Sequence, residues 1–524
     1  MSILSKELNS PAAKNLQSLF NELSLELGAA LECIAGAVPL DQVKVSGIAY
    51  DSRAVEPGFA FFSIEGQKQD GNTFINHAIE KGATVVFSEK RSGPYSVPVV
   101  IVPDARAALA AFACAFYDNP SKKLRVLGVT GTNGKTTTTH LLEHIFNHAG
   151  KKTGLIGTLG ARLPGSGNES EYLDVKHTTP QASDLQALFY TMVEKGVSHV
   201  AMEVSSHALA LSRVAGTTFA GAALTNITQD HLDFHITMEN YWRAKRILFE
   251  SLVEGKDQSK PTAVVNLDDE YAAHFVEVCR GVNLITYGMG KEASVHPLEA
   301  AFDFAGTRLT LATPGGDIAF TTRLTGQFNL YNVMAAMAIA LGEGLSKEEV
   351  AEALRDFPGV SGRFEVVPAK KNGKTFAAPL CIVDYAHTPD GLENVLKAAR
   401  ALVPAQGKLI AVFGCGGDRD SSKRPQMGEI AETLADQVVV TSDNPRSEDP
   451  QQIIADILAG IKRLKDVTVE SDRADAITMA VKTASDQDVI VVAGKGHETY
   501  QILKDRTIDF DDRKEVAKAL CARS

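Results

Sequence analysis

The segment Gly128-Val129-Thr130-Gly131-Thr132-Asn133-Gly134-Lys135-Thr136-Thr137 restricts the possible folds more than any other part of the chain. It lies between an apolar run, Arg125 to Val129, and a helical pattern, Thr138 to Ala149, and so reads as a strand turning into a helix. Glycines there let backbone amides point inward at a helix N-terminus, where the amides and the peptide dipoles favour phosphate oxygens. Lys135 adds a point charge, and the Thr136 hydroxyl is a ligand for Mg²⁺. The spacing is G-x-x-G-K-T instead of the commoner G-x-x-x-x-G-K-[ST], because Val129 stands five residues before Gly134. An ATP site is expected here; a glycine turn that only caps a helix is the plainer alternative.

One such unit cannot account for 524 residues, a length that suggests about three domains. Asp118-Asn119-Pro120-Ser121 and Phe357-Pro358-Gly359-Val360-Ser361-Gly362 each follow a helical stretch and break it. They predict blocks of 1–120, 121–360 and 361–524. In the later two blocks, short runs alternate with helical patterns: His199 to Met202, Leu409 to Phe413, Gln437 to Val440 and Val489 to Ala493. Near-continuous apolar runs of this length read as parallel strands covered on both faces. Ligands of open α/β sheets bind beyond the strand carboxyl ends, where this chain places polar and glycine-rich segments.

The net charge of -11 argues against a nucleic-acid or anionic-membrane surface, since both require a basic face. Met1 to Leu19 lacks the continuous apolar core of a signal peptide, and no run reaches the roughly 18 apolar residues of a membrane span. A soluble, cytoplasmic chain is expected, acting as a monomer. Cys33, Cys114, Cys279, Cys381, Cys415 and Cys521 lie far apart with no C-x-x-C pair, so free thiols are expected.

Further segments accompany the phosphate loop in one order along the chain. They are His177-Thr178-Thr179-Pro180, Glu203-Val204-Ser205-Ser206-His207, Thr225 to Asp233, Asn329-Leu330-Tyr331-Asn332, Gly362-Arg363-Phe364-Glu365 and Asp384-Tyr385-Ala386-His387-Thr388-Pro389. With Gly131 to Thr136 they resemble the Mur ligase superfamily over nearly the whole chain. The resemblance implies an α/β fold of three domains. An N-terminal one takes a UDP-sugar, a central P-loop ATPase has a mainly parallel sheet, and a C-terminal Rossmann-like one carries the incoming amino acid. It also implies chemistry: ATP phosphorylates a substrate carboxylate, an amine attacks the acyl phosphate through a tetrahedral intermediate, and phosphate leaves. That sequence needs cations beside the phosphoryl group, exclusion of water, and domain closure.

The same resemblance assigns residues. Gly131, Thr132, Asn133, Gly134, Lys135, Thr136 and Thr137 hold ATP, with Asn329 and Asn332 beside adenine and Arg363, Asp384 and His387 joining on closure. Asn332 as a helix cap and Arg363 as a linker charge stay open as alternatives. Glu203, His231 and Thr136 are implied as Mg²⁺ ligands. Tyr50, Ser52, Gln67, Lys68 and Gln69 match uridine-nucleotide segments. His177, Thr178, Thr179, Ser205 and Arg213 match the muramoyl-dipeptide site, where Leu211 replaces a polar residue of some relatives. Arg213 also has a physical case, because a guanidinium clamps a carboxylate with two parallel bonds.

Asp443-Asn444-Pro445-Arg446 resembles the signature of family members that add meso-diaminopimelate, with Arg419, Gly494 and Glu498 completing that site. Diaminopimelate differs from lysine by a second carboxylate, so selectivity requires a cation that lysine leaves unpaired. Arg446 on a proline-stiffened turn is that cation, with Asp443, Asn444 and Glu498 available to the ammonium group; a solvated Arg on an Asn-Pro turn is the alternative. The expected acceptor is UDP-N-acetylmuramoyl-L-alanyl-D-glutamate, placing the reaction in peptidoglycan precursor synthesis. Rivals are lysine addition, folylpolyglutamate synthesis, and a nucleotide switch that ligates nothing.

Read as a helix, Glu239 to Leu252 puts Met238, Tyr241, Trp242, Leu248, Phe249 and Leu252 on one face with Lys245 in their middle, while Arg243, Arg246, Glu239 and Glu250 project elsewhere. Burial there would lower the amine pKa, unless the side chain snorkels to water. The family carries a carbamylated lysine at the matching position, which implies N6-carboxylysine at Lys245 as an anionic metal ligand. Lys135, Lys245, His231 and Glu203 are thereby the expected catalytic residues.

Overall fold

The computed structural model describes residues 8–34, 38–66, 69–91, 93–165, 170–254, 260–303, 306–371, 374–463 and 467–523. Three main sheets follow one another along the chain. The first has five strands in the order Glu32–Ile34, Val99–Ile101, Val85–Ser88, Phe59–Ser63 and Gly47–Ala49, all parallel except Glu32–Ile34 at one edge. The second has eight strands: Ser170–Leu173, Gly160–Pro164, Thr153–Gly157, His199–Glu203, Arg125–Thr130, Phe219–Leu224, Thr262–Asn266 and Asn283–Tyr287. Its last six run parallel, and the first two form an antiparallel edge. The third has six strands, Glu365–Val367, Leu380–Asp384, Val489–Ala493, Leu409–Phe413, Gln437–Val440 and Val467–Val469, parallel apart from Glu365–Val367. A small antiparallel sheet, His296–Asp303, Gly306–Ala312 and Ile318–Thr322, leads into the helix Gln327–Gly342.

The apolar runs are strands because each has two faces to bury. In the third sheet Leu409, Ala411, Phe413, Val489 and Val491 enter one core, while Ile410, Val412, Ile490 and Val492 enter the core on the opposite side. Residues two apart share a face, so a continuous apolar run fills both layers. Truncating one such side chain, Ile490→Ala for instance, costs roughly 2–5 kcal/mol.

Phe219–Leu224 and His199–Glu203 flank Arg125–Thr130, so the ends of three adjacent parallel strands meet beside the phosphate loop. Asp118 to Ser121 lies between the helix Ala105–Phe116 and this sheet; Phe357 to Gly362 lies between the helix Lys347–Asp356 and the third sheet. Asp118 and Asn119 both take positive φ, 62° and 49°, which turns the chain at the first break. All six cysteines are free thiols. Among the described residues no helix is long and apolar enough to cross a membrane.

Candidate active site

Gly134, with φ 84°, caps the helix Lys135–His148, three residues ahead of the expected start. A Cβ on Gly134 would strike Asn332 Oδ1, and one on Gly131 would strike Thr225 Oγ1, so neither position accepts a side chain. Asn332 donates to Asn329 Oδ1 (3.1 Å), and Asn329 donates to the Thr325 carbonyl (2.9 Å). Asn332 is therefore held against the loop from inside the helix Gln327–Gly342, whereas Asn329 is buried behind it. Lys135 folds back to donate to the carbonyls of Gly131 and Thr132, both at 2.8 Å, and burial lowers its pKa.

Residues of the third sheet reach this loop. The Arg363 guanidinium stacks 4.3 Å from the Tyr385 ring centroid and donates to Thr136 Oγ1 at 3.3 Å. Asp390, in the first turn of the helix Pro389–Arg400, accepts from Asn133 Nδ2 (2.5 Å) and Thr228 Oγ1 (3.3 Å). Asp384 instead accepts the amides of Phe364 (2.6 Å) and Ala386 (2.7 Å), so it fixes the turns that carry Arg363 and His387. Burial pushes its carboxyl pKa up, against the pull of Arg363. The cleft enclosed this way is about 800 Å³ and is lined by Asn133, Lys135, Thr136, Thr137, Glu203, His231, Lys245, Asn332, Arg363, Asp384 and His387, among others.

Glu203 is buried and accepts from the Thr158 amide (2.9 Å) and the Thr158 hydroxyl (3.0 Å). His231 has φ 53°, lies 3.3 Å from Asp230, and meets the His207 ring at 4.8 Å between centroids. The helix carrying Lys245 spans Met238–Glu254. Tyr241, Trp242, Leu248, Phe249 and Leu252 are buried as the periodicity requires, while Arg243 pairs with Glu239 and Arg246 with Glu250. Lys245 does not snorkel. It is 1% exposed, and its Nζ donates to the Gly131 carbonyl at 2.8 Å over the Tyr241 ring. Burial, reinforced by the charge of Lys135, holds its pKa well below the ordinary lysine value.

A second cleft of about 500 Å³ gathers Arg419, Asp443, Asn444, Arg446, Gly494 and Glu498 from three strand-end loops of the third sheet. Arg446, at φ 52°, donates to the Gly417 carbonyl (2.7 Å). Pro445 is not part of the cleft wall; its carbonyl abuts Gly417. A Cβ on Gly494 would strike Asp443 Oδ2. Asp230, His231, Tyr385, His387, Thr388 and Asp390 line both clefts, so the two share a wall. Behind that wall Gly362 and Gly496 interlock: a Cβ on Gly362 would strike the backbone of Gly496 and His497.

The segments matched to the muramoyl dipeptide divide. Thr178 and Ser205 line the larger cleft. Thr179 is buried and donates to the Glu203 carbonyl (2.9 Å) while accepting the Ser205 amide (3.0 Å), so it shapes the turn after Glu203. Arg213 donates to the Thr179 carbonyl (3.2 Å), and its Nε is buried with no partner among the described residues. His177 is exposed and lines neither cleft. Tyr50 donates to Asp184 of the second sheet's helix Ala182–Glu194 (2.9 Å), and Ser52 meets His77 (3.0 Å), both away from the two clefts. Gln69 is exposed; Gln67 and Lys68 lie outside the described residues.

Sequence reasoning missed Asp390, Tyr385 and Lys495. Asp390 follows directly on His387-Thr388-Pro389 in the first turn of a helix, a position that favours a carboxylate near donors. Lys495 stands inside Gly494-Lys495-Gly496-His497-Glu498, where only the flanking residues drew notice.

Comparison with known proteins bears on the whole chain. Residues 129–340 match the family model of the Mur ligase middle domain, 362–496 that of the Mur ligase glutamate ligase domain, and 44–117 that of the Mur ligase family catalytic domain. The chain is 47% identical over 486 residues to the UDP-N-acetylmuramoyl-L-alanyl-D-glutamate–2,6-diaminopimelate ligase of Gloeobacter violaceus, covering 92% of this chain and 95% of that one. It is 46% identical over 477 residues to the enzyme of the same description from Geobacillus thermodenitrificans, covering 91% and 94%. A solved structure of a ligase of that description superposes with TM-score 0.67 at 31% identity, over 98% of this chain and 99% of the other. The ADP complex of a MurF ligase from Thermotoga maritima shares the fold, with TM-score 0.60 at 18% identity over 91% and 97%.

Proposed function

The chain belongs to the Mur ligase family, and from that premise we propose how its sheets divide one reaction, the ATP-dependent addition of meso-2,6-diaminopimelate to the D-glutamate of UDP-N-acetylmuramoyl-L-alanyl-D-glutamate. The observation that carries the reading is the shared wall. A nucleotide seated on the phosphate loop and an amine seated among Asp443, Asn444, Arg446 and Glu498 have Asp230, His231 and His387 between them. Phosphoryl transfer to the D-glutamate carboxylate and attack by the amine then occur at one junction, and the tetrahedral intermediate breaks down to amide and phosphate.

The loop amides and Lys135 cradle the β- and γ-phosphates, and Arg363 at Thr136 neutralises the transferring group. Arg363 and Asp390 bring the third sheet over the loop, which excludes the water that would hydrolyse an acyl phosphate. Thr178, Ser205 and Arg213 are the muramoyl-dipeptide side, and Tyr50, Ser52 and Gln67 to Gln69 the uridine side. At the other end, the Arg446 guanidinium is matched by the second carboxylate of diaminopimelate and unmatched by lysine.

The residues present fit Mg²⁺. It is usually held by one or two protein oxygens together with phosphate oxygens and water, and the buried Glu203 carboxylate, the Thr136 hydroxyl and His231 line the same cleft. When bound, Mg²⁺ supplies positive charge to the phosphoryl oxygens. Lys245 contributes as its carbamate: the neutral amine adds carbon dioxide, one N–C bond forms, a proton leaves, and an anionic oxygen donor replaces a cation. The low pKa imposed by burial is the precondition for that addition.

The test is product formation with purified protein, ATP, Mg²⁺ and the UDP-dipeptide, each candidate amino acid being offered separately. Phosphate release should require meso-diaminopimelate, with L-lysine used poorly. Equal turnover with saturating lysine refutes the role of Arg446, and ATP hydrolysis independent of any amine refutes ligation.

A further inference from the structure

The wall of the amine cleft rests on a cation that does not itself line the cleft. Lys495 is 0% exposed, and its Nζ lies 2.8 Å from Glu498 Oε2 and 3.1 Å from Asn444 Oδ1. Asn444 Nδ2 donates to the same Glu498 oxygen at 2.8 Å, closing a triangle. Asn444 Oδ1 also accepts the Ile502 amide (2.9 Å), which ties the triangle to the hairpin Tyr500–Ile502 and Thr507–Asp509.

These bonds saturate the amide oxygen. An amide oxygen has two lone pairs, and both are taken, by Lys495 and by the Ile502 amide. The Asn444 side chain therefore has one orientation, with its NH₂ toward Glu498. On Glu498, Oε2 receives two donors, while Oε1 has no protein donor among the described residues. A carboxylate pinned through one oxygen offers the other to a ligand in a fixed direction, the preorganisation that spares a binding site the entropy of ordering its own side chains.

We propose that Lys495 is a positioning residue for the incoming amino acid, cross-linking Glu498 to Asn444 so that Glu498 presents Oε1 to the ammonium group of diaminopimelate. The proposal rests on the reading that Asn444 and Glu498 face that amino acid. Without the lysine, Asn444 Oδ1 loses one of its two donors and Glu498 loses its partner cation, so only the Asn444–Glu498 bond and the Ile502 amide still restrain the two side chains. The nucleotide cleft, which shares no member of the triangle, is left intact.

The experiment is steady-state kinetics of the full-length chain with Lys495→Met, which keeps length and apolar stem but removes the donor. KM for meso-diaminopimelate should rise about tenfold or more, as expected for unsatisfied buried partners. kcat at saturating diaminopimelate and the KM values for ATP and the UDP-dipeptide should stay within about twofold, since none of them senses the triangle. Should the Met variant fail to fold, Lys495→Arg carries the same test, because its planar fork keeps the charge without setting one nitrogen on both acceptors; a KM rise confined to diaminopimelate is again expected. An unchanged KM for diaminopimelate, or an equal rise in all three KM values, overturns the proposal. Glu498→Gln separates the two levels: if it too leaves diaminopimelate KM unchanged, the assignment of the cleft fails, and if it alone raises that KM, only the role of Lys495 fails.

Discussion

Lys135 and Lys245 place their ammonium nitrogens on one acceptor, the Gly131 carbonyl oxygen, each at 2.8 Å. Two cations on one carbonyl repel, and burial removes the water that would screen them, so at least one is driven toward the neutral form. Lys245 is the one that gains by modification, because a carbamate pairs with Lys135 instead of opposing it. Lys245→Ala should keep the fold and lose on the order of 10²–10³-fold in kcat. Added formate or acetate should restore part of the loss, and depleting carbon dioxide should inactivate the wild-type protein. NMR with isotope-labelled carbon dioxide reads the carbamate directly; no carbamate signal and no response to depletion would refute the assignment.

Arg363 and Asp390 carry the third sheet's side of the chain onto the phosphate loop. Each removal should raise KM for ATP and lower kcat together, by about 5- to 150-fold in kcat/KM, as expected for about 1–3 kcal/mol per lost charge-assisted bond. Arg363→Ala and Asp390→Ala, assayed with saturating UDP-dipeptide and diaminopimelate, check this. Wild-type ATP kinetics in both would show that the contacts do not matter for closure.

Acid should destabilise the chain through its buried histidines. His140 and His199 are buried, and burial lowers each pKa from 6.5 to about 4. Between those values the unfolded chain binds protons that the folded one refuses, so stability is full above about pH 6.5 and falls as pH drops toward about 4. Urea midpoints at several pH values should show that slope. His199→Phe, which preserves stacking on Phe146, should flatten it in part.

Ile236 is 71% exposed and sits at φ 68°, ψ -45°, a region that β-branched side chains strongly disfavour. Its strain is not repaid by burial. Ile236→Gly should raise the melting temperature, with stability increasing on the order of 1 kcal/mol after the extra backbone entropy of glycine is set against the strain. A lower melting temperature would mean that the conformation is held for a contact of the isoleucine.

Strands covered on both faces were readable because burial and sequence run in parallel: Leu409–Phe413, Gln437–Val440 and Val489–Ala493 have the bounds their apolar runs predict. Helical periodicity likewise puts Lys245 among Tyr241, Leu248 and Phe249, but it leaves snorkelling open; the amine is buried because it reaches the Gly131 carbonyl of a distant loop. The start of the helix at Lys135 was not readable, because Thr136 to Thr139 carry no apolar periodicity and the cap is the conformation of Gly134. Asp390 touches Asn133, 257 positions away, and no local pattern encodes a contact made only when two sheets pack. Nor does one mark Lys495, which joins Glu498 of its own loop to Asn444, 51 positions away on another loop.

The interlocked glycines, Gly362 and Gly496, have a consequence for how the chain tolerates change. Gly362 precedes Arg363, which reaches Thr136 of the phosphate loop, and Gly496 lies two before Glu498. A methyl group at either one must part the same two backbones, with Tyr385 struck in addition from Gly496, so the first substitution already does much of the damage of the pair. Alanine at both should cost clearly less than the sum of the single changes, an alleviating interaction between residues in contact. A lineage that lost one glycine would be under little pressure to keep the other, and the two positions are expected to drift together or not at all.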